Sequence, residues 1–483
     1  MKFINKYWYY FLLFIPFCII IPYNLFPVTD TWFLLNTGRY IVNNGIFTID
    51  PFSMHEGLTI IVQQWLSDVI FYGMYSLFGA KGLMILLIIL LFLISYCTYK
   101  LFYFVCNNKV LAYVLMILCI SVIGVNFLFV TRPQLFTYLF LVIELLLVEK
   151  YIKSKNVKYL YGLPILSLLL INLHSSMWMM LFVFLLPYIV NGINFKKFNK
   201  TKYSIKPILI VMVIMFLVGF INPYTYKNVF YLYYSYGFKE INLYIKEMQN
   251  PDFTLRHFRI WALLIGMMIF IINYYKQKLD SRHFLFIVGC SLLYLGHIKM
   301  FPYFAIVYFF SLCYLLKGIK IKIKDNILFY LGRVFICIIG IFGIPIMMYE
   351  GVKRIRLESY IQEIGDYLLD NCSNDIRVYN DFEYGGYIEY IGFKAFIDGR
   401  AELYYKRFNN KDDIFIDYYN VKSDFNYDID SFIEKYDFTH FIVEEGSFLD
   451  YYLKINNYNI VYTMYVGEDE DKIPVYNLFE KEE

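Results

Sequence analysis

The sequence predicts an α-helical polytopic membrane protein that carries a small α/β domain at its C-terminal end. Three observations lead there. Of its 483 residues, 59% are hydrophobic and only 17% charged, against about 45–50% and about 25% in soluble domains. The apolar residues come in blocks, several of them near the ~20 residues a helix needs to cross a bilayer. The basic residues gather in alternate breaks between those blocks, the asymmetry that marks cytoplasmic loops.

Eleven spans are expected, at 7–26, 82–105, 110–130, 134–152, 158–173, 176–192, 206–222, 258–275, 282–297, 300–317 and 327–349. Only the break at His174-Ser175-Ser176 separates the fifth from the sixth. The segment 64–79 is amphipathic and reads as an interfacial helix or an extension of the second span. The first run follows Lys2 and Lys6 but has no small-x-small cleavage site before Thr29-Asp30, so it reads as a retained span rather than a signal peptide. Lys109, the cluster Lys150 to Lys158, the cluster Lys196 to Lys206, the cluster Lys276 to Arg282 and the cluster Lys317 to Lys324 all fall on the side of the N-terminus. That places the N-terminus in the cytoplasm and the C-terminal domain outside the plasma membrane. The domain boundaries that follow are a membrane domain at 1–351, with a large first outer loop at 27–80, and an extracytoplasmic domain at 352–483.

The tail opens with helical periodicity from Arg354 to Asp370, with Ile355, Tyr360, Ile361, Ile364, Leu368 and Leu369 on one face. Strand-like runs follow at 377–379, 394–397, 439–443, 460–466 and 474–479, with a turn signal at Gly467-Glu468-Asp469. About 130 residues suffice for a separate core.

Several classes are set aside. The net charge of +4 is carried by topological clusters, so it implies no nucleic-acid partner. Seven of the eight cysteines lie in or beside apolar blocks, which gives neither a disulfide framework nor a thiolate metal site. The histidines lack metal-ligand spacing. No dinucleotide fingerprint, Walker sequence or Ser/His/Asp hydrolase signature occurs, and the inner loops are too short for a nucleotide-binding domain. No cofactor is indicated; a divalent metal stays open. The Ile, Lys, Asn and Tyr richness points to an AT-rich bacterial genome.

The outer loops carry the chemistry. They hold Asp30, Arg39, Asp50, His55, Glu56, Arg132, His174, Glu247, Arg256, His297 and Lys299. Charges at membrane depth are costly and usually functional, although at helix ends they also serve as snorkelling anchors. The first outer loop runs Thr29-Asp30-Thr31-Trp32, Asn36-Thr37-Gly38-Arg39-Tyr40, Asn44-Gly45-Ile46, Asp50-Pro51-Phe52-Ser53 and Gln63-Gln64-Trp65-Leu66. Read plainly, Asp30 caps a helix that ends at a glycine turn. Arg132-Pro133 stands at the mouth of a span, where an arginine fork suits a phosphate as well as it suits the interface. His174 reads as an interior hydrogen-bonding residue. His297 and Lys299 flank a short outer turn before Pro302.

The first outer loop resembles that of the GT-C superfamily of membrane glycosyltransferases, which includes protein O-mannosyltransferases and aminoarabinose transferases. There an acidic residue, often Asp-Glu, opens the loop, and a helix with an arginine leads to a glycine turn. Asp30, Arg39 and Gly45 occupy that pattern, with Thr31 standing where the second acid often stands. Thr131-Arg132-Pro133-Gln134, Asn172-Leu173-His174-Ser175, Phe382-Glu383-Tyr384-Gly385-Gly386-Tyr387 and Phe396-Ile397-Asp398-Gly399-Arg400 are similar to segments of a bacterial GT-C-like group. The two tail motifs read first as turns, with Asp398 and Arg400 able to pair with each other.

The resemblance implies a polyprenyl-phosphate-linked sugar donor that reaches an outward-facing site from the bilayer. It implies an envelope glycan, lipid or protein as acceptor, and a single displacement at the anomeric carbon. A carboxylate removes the acceptor proton while cationic groups stabilise the leaving phosphate. Asp30 is the expected base, with Asp50 next; Arg39, Arg132, His174, Arg256, His297 and Lys299 are the expected substrate-binding residues. Two other classes stay open. A lipid or polysaccharide transporter would use charges near mid-span, for which Glu144 is the main candidate. A non-catalytic scaffold for envelope assembly would bind through its outer domain.

Overall fold

In the computed structural model of the chain the described residues are 29–128, 130–193, 202–275, 279–317, 362–466 and 473–481. The expected first and last spans and the turn at Gly467-Glu468-Asp469 lie outside them. Among the described residues the chain divides into two compact units: Met84–Tyr231 and 245–317 form one, while the first loop, Leu232–Tyr244 and the tail form the other.

The first unit is helical. Its helices are Ala80–Cys106 (from Met84 on), Lys109–Leu128, Gln134–Ser154, Gly162–Leu173, Met179–Gly192, Lys206–Val218, Arg256–Tyr275, Ser281–Gly296 and Phe301–Leu315, with a four-residue turn of helix at Tyr226–Val229. The nine expected spans within the described residues all fall on helices. Four segments, Ala80–Cys106, Ser175–Gly192, Arg256–Asn273 and Ile298–Leu315, are long and apolar enough to cross a membrane. Four more, Lys109–Gly124, Val157–Leu173, Lys206–Val218 and Ser281–Gly296, are apolar but shorter.

The shortfall has local causes. Gly124 takes φ 53° and ψ −152° inside Lys109–Leu128, which interrupts the i→i−4 ladder. The expected span 206–222 stops at Val218. There Asn222 Nδ2 donates to the Gly219 and Thr225 carbonyls at 2.7 and 3.0 Å, and Pro223 cannot extend a helix. The break expected at His174 is present as a 3-10 turn at Ser175–Met177.

Gln134–Ser154 and Phe301–Leu315 are buried on nearly every face, as befits apolar helices inside a bundle. Arg256–Tyr275 instead leaves Leu263, Met267, Ile269 and Phe270 exposed, a surface suited to hydrocarbon rather than water. Buried charge in this unit is paired at Arg282, whose guanidinium meets Glu149 at 3.1 Å and Asp280 at 3.3 Å.

The second unit combines the first outer loop with the tail. Its sheet has the order β2-β1-β3-β5-β4, with β1 at Arg377–Tyr379, β2 at Lys394–Ala395, β3 at His440–Glu444, β4 at Asn459–Val466 and β5 at Ile473–Glu480. β1 pairs in parallel with β2 and β3, while β5 runs antiparallel to both β3 and β4. Each strand lies within two residues of an expected run. The helix at 362–371 packs Ile364 and Leu368 onto Val378, Ala395, Ile442 and Leu478. On the Ile429–Tyr436 helix, Asp428 caps the start by accepting from Ser431 N at 3.1 Å, and Ile429, Phe432, Ile433 and Tyr436 form the buried face.

The first loop is bonded into this domain by main-chain contacts. Met54 N donates to Ala395 O at 3.0 Å and Thr59 N to Asn409 O at 3.3 Å. His55 Nε2 bonds Phe396 O at 2.8 Å. Burial lowers the His55 pKa to about 4, so the ring is neutral and donates from Nε2.

Candidate active site

Asp30 lies in the first turn of the helix Thr29–Asn44 and is half-buried. The positive end of the helix favours a carboxylate there. The helix stops at the expected glycine: Gly45 takes φ +87° and its N–H reaches Ile41 O at 2.9 Å.

The two glycine motifs of the tail meet the first turns of this helix. A Cβ on Gly386 would stand 2.9 Å from Phe33 N. A Cβ on Gly399 would stand 2.9 Å from two Phe33 ring carbons and 3.5 Å from Asp30 Oδ1. Glycine is required for so close an approach. The motifs pack their backbone against this helix start and form a floor beside Asp30.

Under that floor lies a buried charge cluster centred on Arg400. Its Nη1 donates to Asp50 Oδ1 at 2.6 Å, its Nε to Asp398 Oδ2 at 2.6 Å and its Nη2 to Glu389 Oε2 at 3.0 Å. Asp50 also accepts from Ser53 N at 2.9 Å and is 5% exposed. Burial alone would disfavour the guanidinium charge, but Asp398, Asp50 and Glu389 together raise the Arg400 pKa. Glu389 is pushed well up, by burial and then by the Asp398 carboxylate, so it holds its proton more readily than an ordinary glutamate. The Asp398–Arg400 pairing expected from sequence is present, as one arm of this larger cluster. Arg39 is engaged as well: it donates to Asn36 Oδ1 at 2.7 Å and Tyr390 O at 2.9 Å and lies 4.5 Å over the Tyr390 ring.

In the helical unit, four expected substrate-binding residues form one neighbourhood. Arg132 Nη1 bonds both carboxylate oxygens of Glu247 at 3.2 Å. Glu247 sits on the 3-10 turn Lys246–Met248. That turn is fastened to the turn Ile298–Met300 by His297 Nδ1 to Met248 O at 2.6 Å and by Ile298 N to Gln249 O at 3.0 Å. Lys299 therefore sits on the partner turn, near enough to His174 to act on it electrostatically. His174 Nδ1 meets Thr137 Oγ1 at 2.7 Å inside the bundle, as its interior reading anticipated. The helices Gln134–Ser154 and Phe301–Leu315 both begin at this cluster, and their positive ends add to the cationic character. Arg256 stands apart, exposed at the start of its own helix. Glu144 is fully buried mid-helix, and neither oxygen has a hydrogen-bond partner among the described residues.

Two acids of the second unit were not singled out from sequence. Glu389 was signalled only as a lone acid in the run Gly385–Ile391. Asp68 is 1% exposed, and burial pushes its carboxyl well up. Among the described residues no group of three or more His, Cys, Asp or Glu is arranged to hold a metal ion.

No family model matches the sequence, and no curated protein matches it. Solved structures do match. The chain is similar to the oligosaccharyltransferase of Archaeoglobus fulgidus tethered with an acceptor peptide containing the NVT sequon, at 13% identity and a TM-score of 0.59, over 99% of this chain and 74% of that one. The apo form of that enzyme aligns at 12% identity and a TM-score of 0.56, over 92% and 70%. The archaeal oligosaccharyltransferase AglB from the same organism, in complex with an inhibitory peptide and a dolichol-phosphate, aligns at 12% identity and a TM-score of 0.57, over 91% and 70%. The chain thus shares the fold of these archaeal oligosaccharyltransferase structures.

Proposed function

We propose that this protein is a membrane glycosyltransferase that moves a sugar from a polyprenyl-phosphate-linked donor to an envelope glycan, lipid or protein on the outer face of the membrane, with Asp30 as general base. The fold supports the reaction class, and the dolichol-phosphate bound by one structural neighbour supports a lipid-phosphate donor. One observation carries the assignment of the base: Asp30 is half-buried in the first turn of a helix, with the backbone of Gly399 packed close to its carboxylate. In the proposed step an acceptor heteroatom attacks the anomeric carbon and its proton passes to the Asp30 carboxylate. The bond from that carbon to the phosphate oxygen breaks, and the phosphate leaves with the electron pair. Arg132 and Lys299, next to two helix N-termini of the helical unit, carry positive charge of the kind that stabilises such a leaving group. Asp50 instead holds Arg400 in place.

Replacing Asp30 with Asn tests the assignment. Asn keeps the size and much of the favourable interaction at a helix start but accepts no proton as a base. Transfer of labelled sugar should fall by about 10²–10⁴ while the thermal midpoint stays near that of the wild type. If Asp30 serves only the helix start, Asp30→Asn transfers normally.

A further inference from the structure

We infer that Glu247 is an internal stand-in for the donor phosphate: its carboxylate occupies the Arg132 guanidinium when no donor is bound, and the donor binds by displacing it. This deepens the proposed function and rests on its lipid-phosphate donor.

The geometry is that of a ligand contact made by the chain itself. A carboxylate and a phosphate monoanion offer an arginine the same thing, two oxygens bearing shared negative charge. Both Glu247 oxygens lie 3.2 Å from Arg132 Nη1. The two residues are 115 positions apart in sequence, so tertiary folding makes the pair. The contact is also suited to release. The Arg132 and Glu247 side chains are 28% and 41% exposed, unlike Arg282 and Glu149 at 3% and 9% in the same unit. Exposed pairs of this kind are weak, weak enough for a dianionic or monoanionic phosphate to replace.

The surroundings favour such an exchange. Lys299 lies on the turn fastened to that of Glu247, and the helix at Gln134 begins two residues after Arg132. When Glu247 leaves Arg132, those positive groups face an anion that can use all of them. The device lowers the apparent affinity for donor by the fraction of molecules in which Arg132 is occupied.

The test measures binding of radiolabelled farnesyl phosphate to the full-length protein in nanodiscs, with farnesol and inorganic phosphate as competitors. Four proteins are compared: wild type, Glu247→Gln, Arg132→Gln and the double variant. Glu247→Gln should tighten farnesyl phosphate binding by about two- to fivefold, the range set by an exposed pair. Arg132→Gln should weaken it about tenfold or more, and in that background Glu247→Gln should bring no gain. Farnesol should compete equally weakly in all four. Inorganic phosphate should compete in wild type and compete better against Glu247→Gln, though less well than the lipid. If Glu247→Gln binds no tighter than wild type, or tightens binding equally with Arg132 absent, the stand-in is refuted while the donor site survives. If Arg132→Gln binds farnesyl phosphate as wild type does, the donor assignment itself falls.

Discussion

Gly399→Ala would perturb the proposed base without touching its charge. The added methyl would lie 2.9 Å from Phe33 Cδ1 and Cε1, whereas ordinary contact begins at 3.4 Å. The ring, or the turn bearing it, must therefore yield by roughly half an ångström. Phe33 lies less than one helical turn from Asp30, so the displacement is passed to the carboxylate. Gly399 does not use the left-handed region, so backbone strain contributes nothing and the effect isolates contact. Overpacking of this size costs about 1–3 kcal/mol, and misplacing a catalytic group by about 1 Å can cost on the order of 10² in rate. In a transfer assay with a polyprenyl-phosphate sugar, Gly399→Ala should lower kcat by about 10- to 100-fold with little change in the donor KM. Adding Phe33→Leu removes the clashing ring atoms and should restore most of the loss. Transfer by Gly399→Ala within twofold of the wild type, or no recovery with Phe33→Leu, would refute the floor as a constraint on Asp30.

Two further outcomes concern the second unit. Arg400→Met should destabilise it by about 3–5 kcal/mol in denaturant unfolding, because it strands Asp50, Asp398 and Glu389 in a buried site; a loss below about 1 kcal/mol would mean the cluster is held by something else. His55 must be neutral in the fold, with a pKa of about 4 against 6.5 in the unfolded chain. Its contribution is complete above pH 6.5 and is lost as pH falls towards 4. The drop is roughly 3 kcal/mol, and unfolding midpoints measured across that range should be flatter in His55→Gln.

Much of the secondary structure was legible because its signals are local. β1 to β5 follow runs of β-branched and aromatic residues bounded by turn formers, and all lie within two residues of their expected places. The break at His174 and the stop at Gly45 were legible for the same reason. The lengths of the spans were less so. A hydropathy window over 206–222 counts Ile221 as favourable and does not register that Asn222-Pro223 ends the helix earlier.

By itself the sequence pointed to the class: apolar blocks with basic breaks, a polar α/β tail, an acid opening the loop at 27–80, and cations at later turns. These depend on periodicities of two and 3.6 residues and on the cost of burying charge, which act on neighbours in the chain. Tertiary structure alone decided what each acid is set beside. Asp50 and Asp30 look alike in sequence, yet Asp50 is bonded to Arg400, 350 positions away, while Asp30 rests against Gly399. Arg132 likewise reads as a solitary cation until folding brings Glu247 to it from 115 positions away. Contact energies fall off within a few ångströms, so a charge's role is fixed by what the fold sets beside it, and sequence spacing carries no record of that distance.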